Sequence, residues 1–358
     1  MRLRGLVLAA LATLLVAAPA QARSVPRGWL GVQADGPLTE PGNPFGPEWS
    51  LMRASGAETV RTAFDWRAAQ PAEDGPIDFT AIDAVVAAAA QQRLPVLPVV
   101  HRTPAWAAAR PGDGPASAPR GTAAFTRFLT ALVGRYGPRG SLWAERPQLP
   151  RMPIRAWQIW NEPNLTRYWT AQPFARPYVK LLRASRRALR AADPGSRTIL
   201  AGLPNESWIA LRRVYRAGGR RAFDAVALHP YTGRPRNVIK LVELARREMR
   251  RFHDGRKPVW LTELSWPASK GKTAGAPGFV TTERGQARRL QQSLSLLARA
   301  RKRLRIQRVV WYTWLSREDS SNAFDWSGLR RQRGGAVVSA RSLAVFRRAA
   351  KRLAGVSG

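Results

Sequence analysis

Arg155-Ala156-Trp157-Gln158-Ile159-Trp160-Asn161-Glu162-Pro163-Asn164 is a short, mostly apolar run closed by the string Asn-Glu-Pro. It reads as a buried strand over 155–161 that carries a carboxylate at its C-terminal end. About a hundred residues later, Pro258-Val259-Trp260-Leu261-Thr262-Glu263-Leu264-Ser265-Trp266 has the same form, with Glu263 at the end of a strand predicted near 257–263. Working outward, further strands are predicted near 29–34, 58–63, 94–101, 197–202, 223–229 and 307–314. Amphipathic helices separate them. Phe79, Ile82, Val85, Val86 and Ala89 share one helical face, as do Val238, Leu241, Ala245 and Met249, and Ala287, Leu290, Leu294 and Leu297. A last helix is expected over about 340–354.

Strands that alternate with helices imply a parallel sheet with crossover helices. Eight such units in about 330 residues are the pattern of an α/β protein of the (β/α)8, or TIM, barrel class, in a single domain. The competing doubly wound sheet announces itself by a glycine-rich turn after its first strand. Here Gly31-Val32-Gln33-Ala34-Asp35-Gly36 lacks the third glycine, and no helix is expected there. The segments 107–121 and 139–152 are expected to be long loops flanking the third helix, where a barrel shapes its cleft.

In a barrel, the ends of the fourth and seventh strands open on one face, across the mouth from each other, so Glu162 and Glu263 can converge. Two carboxyl groups at roughly 5–5.5 Å are what glycoside hydrolysis with retention of configuration requires. Taken singly, each glutamate would be read as a surface ion-pair partner. Together, at the ends of these two strands, they read as a catalytic pair.

On these residues the chain resembles the retaining (β/α)8 glycosidases that carry the acid/base on strand four and the nucleophile on strand seven, with glycoside hydrolase families 39 and 5 the nearest in likeness. The likeness runs over nearly the whole of 23–358. It includes Val60-Arg61 and Phe64-Asp65-Trp66, Asp78-Phe79, Pro104-Ala105-Trp106, Arg135-Tyr136-Gly137, the Trp-Asn-Glu-Pro-Asn string, His229-Pro230-Tyr231, Thr262-Glu263 and Trp311 to Trp314. It implies that Glu162 is the acid/base and Glu263 the nucleophile. By the same resemblance Asn161 bonds the sugar 2-hydroxyl, Arg61 keeps the nucleophile ionised and Tyr231 hydrogen-bonds it. His101 and His229 fall where such sites hold imidazoles. Trp314, at the catalytic end of the eighth strand, is expected to be the sugar platform and Trp311 part of the core.

The composition bounds the remaining possibilities. There is no cysteine, and His101, His229 and His253 are scattered, so no metal site and no cofactor is expected. Arg2 and Arg4, the apolar run from Leu6 to Val16, and Ala20-Gln21-Ala22 form a secretory signal over 1–22. The expected product is a catalytic domain over 23–358, secreted or associated with the cell envelope, with no membrane span once the signal is removed. The formal net charge of +36 is carried mainly by arginine. Such a field favours anionic envelope polymers. Nucleic acid is not an expected partner, because no aromatic interleaving or known module accompanies the charge. Arg186-Arg187, Arg246-Arg247, Arg250-Arg251 and 299–303 fall on predicted helices, outside the barrel. The expected partner is an oligosaccharide or polysaccharide substrate. The alternative is a catalytically silent barrel that binds carbohydrate or anionic polymer.

Overall fold

The computed structural model describes residues 22–40, 45–274, 278–318 and 320–356. The expected secretory signal falls almost wholly on 1–21, outside the described residues. Eight parallel strands form one sheet: β1 (Leu30–Gln33), β2 (Thr59–Asp65), β3 (Val96–His101), β4 (Ala156–Ile159), β5 (Arg197–Ile199), β6 (Val226–Leu228), β7 (Val259–Leu264) and β8 (Ile306–Trp311). Their order is β5-β4-β3-β2-β1-β8-β7-β6. Single parallel bridges, Ile199 to Ala225 and Leu203 to Leu228, join the two ends, so the sheet closes into a barrel. That closure excludes the doubly wound alternative.

Strand alternation sorts side chains into an outer core and an inner column. Val32, Val60, Trp157, Leu261 and Val309 point outward and pack under the helices. The helix Thr80–Gln91 buries Ile82, Val85, Val86 and Ala89, and Glu283–Leu304 buries Leu290, Leu294 and Leu297. These are the stripes that the 3.6-residue period marks in the sequence, each large side chain contributing roughly 1.5–3 kcal/mol on burial. Inside the barrel, Leu97, Ile199, Ala225, Ala227 and Trp260 form an apolar floor. The Arg308 guanidinium lies 4.2 Å from the Trp260 ring centre and closes the floor below. One step up each strand the inward residues turn polar: Gln33, Arg61, Gln158 and Thr262, all buried. The C-terminal end of the barrel stands on this polar layer.

Three features depart from the sequence reading. Residues 107–121 are not uniform loop but hold the 3-10 turn Pro111–Ala116, just after another at Ala105–Ala107, and 139–152 contains the short helix Ser141–Glu145. After β8 the chain adds a three-stranded sheet, Leu315–Arg317, Arg330–Arg333 and Ala336–Ser339, before the last helix, Arg341–Ala354. Arg246 is not on the outer surface. It is buried and donates to the backbone oxygens of Gly255 and Lys257, tying the helix Pro235–Arg251 to the turn that leads into β7. Among the described residues no helix is long and apolar enough to cross a membrane.

Candidate active site

The polar layer works as a mount for one cation. Arg61 is 2% exposed. Its Nε donates to Gln158 Oε1 at 2.8 Å, its Nη1 to Gln33 Oε1 at 2.7 Å and to Glu263 Oε1 at 2.7 Å, and its Nη2 to Asn161 Oδ1 at 2.9 Å. Strands β1, β2, β4 and β7 thus meet on a single guanidinium. Gln158 is fixed in turn, donating to Leu200 O at 3.1 Å and to Thr262 Oγ1 at 3.3 Å. A buried cation is tolerable only when its donors are satisfied and an opposite charge is in contact. Glu263 supplies that charge.

Glu263 reaches the axis through an irregularity in β7. Trp260 and Thr262 point inward, so simple alternation would turn Glu263 outward. The register of β7 against β8 shifts between Leu261 and Leu264, and such a bulge re-aims a side chain. Both Thr262 and Glu263 therefore face the barrel interior. The second Glu263 oxygen accepts from the Tyr231 hydroxyl at 2.8 Å. Burial pushes the Glu263 carboxyl up, but the opposing influences of His229, Arg61 and the Tyr231 hydroxyl outweigh it and leave the group below its ordinary value. Tyr231 itself is pushed far up by burial and by the charge of Glu263, which keeps it a donor.

Glu162 is held differently. Trp160 and Glu162 have φ of 70° and 42°, left-handed values that cost non-glycine residues roughly 1–3 kcal/mol each. Packing holds the kink: Trp160 is buried against Trp169, its indole N–H donates to Tyr168 O at 2.8 Å, and Glu162 N–H donates to Gly202 O at 3.2 Å. Glu162 Oε1 lies 2.6 Å from His229 Nδ1, and His229 Nε2 lies 3.0 Å from Thr262 Oγ1. Gly202 makes room for that imidazole, since a Cβ there would sit 1.9 Å from His229 Nε2. Burial raises the Glu162 carboxyl above its ordinary value and the charge of Glu263 adds to this, with His229 and Arg61 opposing. Oxygens of Glu162 and Glu263 and a ring nitrogen of His229 all lie within 4.8 Å of one another.

Those three residues are the one group among the described residues whose atoms could converge on a metal ion. The 2.6 Å contact between imidazole and carboxylate is a hydrogen bond, and a guanidinium already occupies the anion of Glu263. A second cation would be repelled by Arg61, so the donor set suits proton chemistry better than metal binding.

A cavity of about 170 Å³ opens above the pair, walled by the aromatic rings of Tyr168, Tyr231, Phe279, Tyr312 and Phe324. A larger one, about 600 Å³, lies on the other side of the mouth and is edged by Asp35, Glu40, Asp65, His101 and Arg102. Of the sequence-predicted site residues, Arg61, Asn161, Glu162, His229, Tyr231 and Glu263 come together in one network. His101 lies apart, on the wall of the larger cavity, where burial brings it down to about 4 with Asp65 opposing.

Trp314 is a correction. It is fully buried, and its indole N–H donates to Glu48 Oε2 at 2.9 Å, under the ion pair of Glu48 with Arg330. Strand β8 ends at Trp311, so alternation does not carry on to residue 314, and no ring face is left for a sugar. Trp311 is buried as well, with its indole N–H on Ser327 O. The aromatic of this segment that reaches the cavity is Tyr312. The sequence reading also passed over Gln33, Gln158 and Thr262, although a glutamine inside an otherwise apolar buried strand is a visible signal. It passed over Asp35 too, which burial pushes up to about 6 while Glu263 adds to the rise and Thr313, donating at 2.5 Å, opposes it.

No protein-family model and no curated protein matches the sequence. Solved structures do match in shape. A family 39 glycoside hydrolase from Bacteroides cellulosilyticus WH2 aligns at a TM-score of 0.65 with 18% identity, over 92% of this chain and 64% of that one. The GH39 enzyme from Xanthomonas axonopodis pv. citri aligns at 0.67 with 17% identity, over 92% and 67%. A GH5 protein from Streptomyces cattleya, in complex with Manb1-4GlcNAc, aligns at 0.66 with 16% identity, over 90% and 80%. The chain thus spans about two thirds of the length of the family 39 structures. At these identities the likeness is one of fold: the chain has the (β/α)8 barrel found in glycoside hydrolases of families 39 and 5.

Proposed function

We propose that this chain is a retaining glycoside hydrolase that acts outside the cytoplasm on an oligosaccharide or polysaccharide. The observation that carries the reading is the pair itself: two buried carboxylates with oxygens within 4.8 Å, one held low beside Arg61 and Tyr231, the other held high by burial. Two such groups in one site divide naturally into a base and an acid. So short a spacing supports direct attack by one carboxylate, because inversion needs a wider gap to seat a water.

In the first step a Glu263 oxygen attacks the anomeric carbon as the bond to the leaving oxygen breaks. Glu162 gives its proton to that oxygen. In the second step Glu162, now a carboxylate, takes a proton from water, and the hydroxide so formed displaces Glu263 from the anomeric carbon. Glu162 ends protonated and Glu263 ionised, as they began. Arg61 and Tyr231 hold the charge of Glu263 before attack and receive it on departure. Asn161, whose Oδ1 accepts from Arg61, has its amide N–H groups to offer to the sugar 2-hydroxyl in this reading. The aromatic walls of the smaller cavity suit the apolar faces of a sugar ring.

The test is a panel of aryl glycosides and polysaccharides, with proton NMR of the first product. Retained anomeric configuration is expected, and an inverted first product would overturn double displacement. No turnover of any glycan would leave a binding barrel instead.

A further inference from the structure

A groove of about 790 Å³ lies outside the mouth of the barrel and is lined by Arg234, Arg236, Arg288, Arg289 and Arg299. It runs between the start of the helix Pro235–Arg251 and the flank of Glu283–Leu304. On the latter, Arg288, Gln292, Ser295 and Arg299 stand four, three and four residues apart, so they form one stripe roughly 16 Å long. No acidic residue lines the groove. None of the five arginines has an ion-pair partner among the described residues, a condition shared with other exposed helical arginines such as Arg187 and Arg348; what sets these five apart is that they line one groove. Burial and the neighbouring Arg288 bring Arg289 below its ordinary value, a sign of like-charge crowding.

The groove and the cleft share no lining residue, but short links connect their walls. Arg234 follows Tyr231 by three residues, and Arg289 donates to Phe279 O at 3.3 Å. Tyr231 and Phe279 both wall the cavity above the glutamates. A chain leaving the cleft on this side would run onto the arginines.

We infer that the groove is a remote subsite for an anionic polysaccharide, so that the substrate is a glycan bearing carboxylate, sulfate or phosphate groups along its length. Guanidinium groups bind such anions in bidentate fashion, and Gln291, Gln292 and Ser295 between them offer partners for sugar hydroxyls. A single-stranded nucleic acid is the poorer fit, because the lining has no aromatic side chain on which bases could stack. The link to the cleft rests on the glycosidase reading; the binding itself does not.

The experiment is a binding titration with end-labelled oligogalacturonate, a neutral dextran oligomer of equal length and an oligothymidylate. One triple variant removes groove charge (Arg236→Gln, Arg288→Gln, Arg299→Gln). A matched triple variant removes exposed charge elsewhere (Arg187→Gln, Arg348→Gln, Arg352→Gln). Oligogalacturonate should bind the unaltered protein at least about tenfold more tightly than dextran. It should lose at least about tenfold in the groove variant at low salt and much less in the matched one. Equal losses in both variants would mean that net charge, not the groove, does the binding, and would overturn the inference. So would oligothymidylate binding as tightly as the glycan and depending on the same arginines. Hydrolysis of a small neutral aryl glycoside should be unchanged in the groove variant. If no glycoside is hydrolysed while oligogalacturonate binding still depends on the groove, the glycosidase reading fails and the anionic subsite stands.

Discussion

Glu162 and Glu263 sit in the same pocket, yet their surroundings are built from different materials. Glu263 is set on a mount of charge. Arg61 contacts it, Gln33, Gln158 and Asn161 fix Arg61, and the Tyr231 hydroxyl closes the other side. Glu162 is set in a mount of hydrocarbon and strain, with a left-handed backbone, the packed Trp160–Trp169 pair behind it, and a single imidazole as its side-chain partner. The same side-chain chemistry is thereby driven in opposite directions. The contrast teaches that what stands behind each carboxyl, not what stands in front, sets the direction in which it is driven.

The asymmetry predicts how each half fails. Replacing Glu263 removes the atom that forms the covalent bond, so Glu263→Ala should lower kcat by at least about 10⁴-fold on every substrate. Near-normal turnover in that variant would break the comparison outright. Glu162→Ala should cost roughly 10²–10⁴-fold on substrates with poor leaving groups, and little on activated aryl glycosides, which need no proton in the first step. Azide should restore part of the rate by replacing the water that Glu162 would have activated. The glycosyl azide from the Glu162 variant should have retained configuration, whereas any azide product of the Glu263 variant should be inverted; the opposite pattern would exchange the two roles.

Weaker perturbations sharpen the picture through pH. Glu263 must be ionised, so activity falls as pH drops through its lowered value. Glu162 must be protonated, so activity falls as pH rises through its raised one. Arg61→Met takes away a cation that favours the ionised form of Glu263 and leaves burial acting against it. The acid limb of kcat/KM should therefore move up by about 1–3 units. The basic limb should move up far less, because burial, His229 and the charge of Glu263 each act on Glu162 more strongly than Arg61 does. An acid limb that stays put would mean the mount of charge does not govern Glu263. Asp35 should give the smallest effect. It titrates near 6, above the range in which Glu263 titrates, so it is already neutral there. Asp35→Asn should leave the acid limb unmoved, and a clear downward shift would show that Asp35 is charged beside the nucleophile.

The same contrast explains what could be read from the sequence. All eight barrel strands fall within a few residues of where apolar runs placed them, because parallel strands buried on both faces read as mostly apolar runs, broken here by single polar residues of the inner layer. The two glutamates were legible as the polar ends of such runs. The sheet after β8 was not. Arg330-Arg331-Gln332-Arg333 has no apolar alternation, and its pairing with Leu315–Arg317 and Ala336–Ser339 is fixed by tertiary contacts such as Arg330 on Glu48. Trp314 was misplaced for a related reason: alternation locates a side chain only while the strand lasts, and β8 stops three residues earlier. The irregularity in β7 that turns Glu263 inward has no local sequence mark at all; it is visible only in the pairing with β8.

The central claim is that Glu263 becomes covalently bonded to the sugar. The direct measurement is to incubate the protein with the 2-deoxy-2-fluoro form of whichever activated aryl glycoside it hydrolyses, digest it, and locate the added mass. The account predicts one glycosyl unit on the peptide carrying Glu263, formed in the unaltered protein and in Glu162→Gln. An adduct on Glu162, or full inactivation with no adduct on either glutamate, would contradict it.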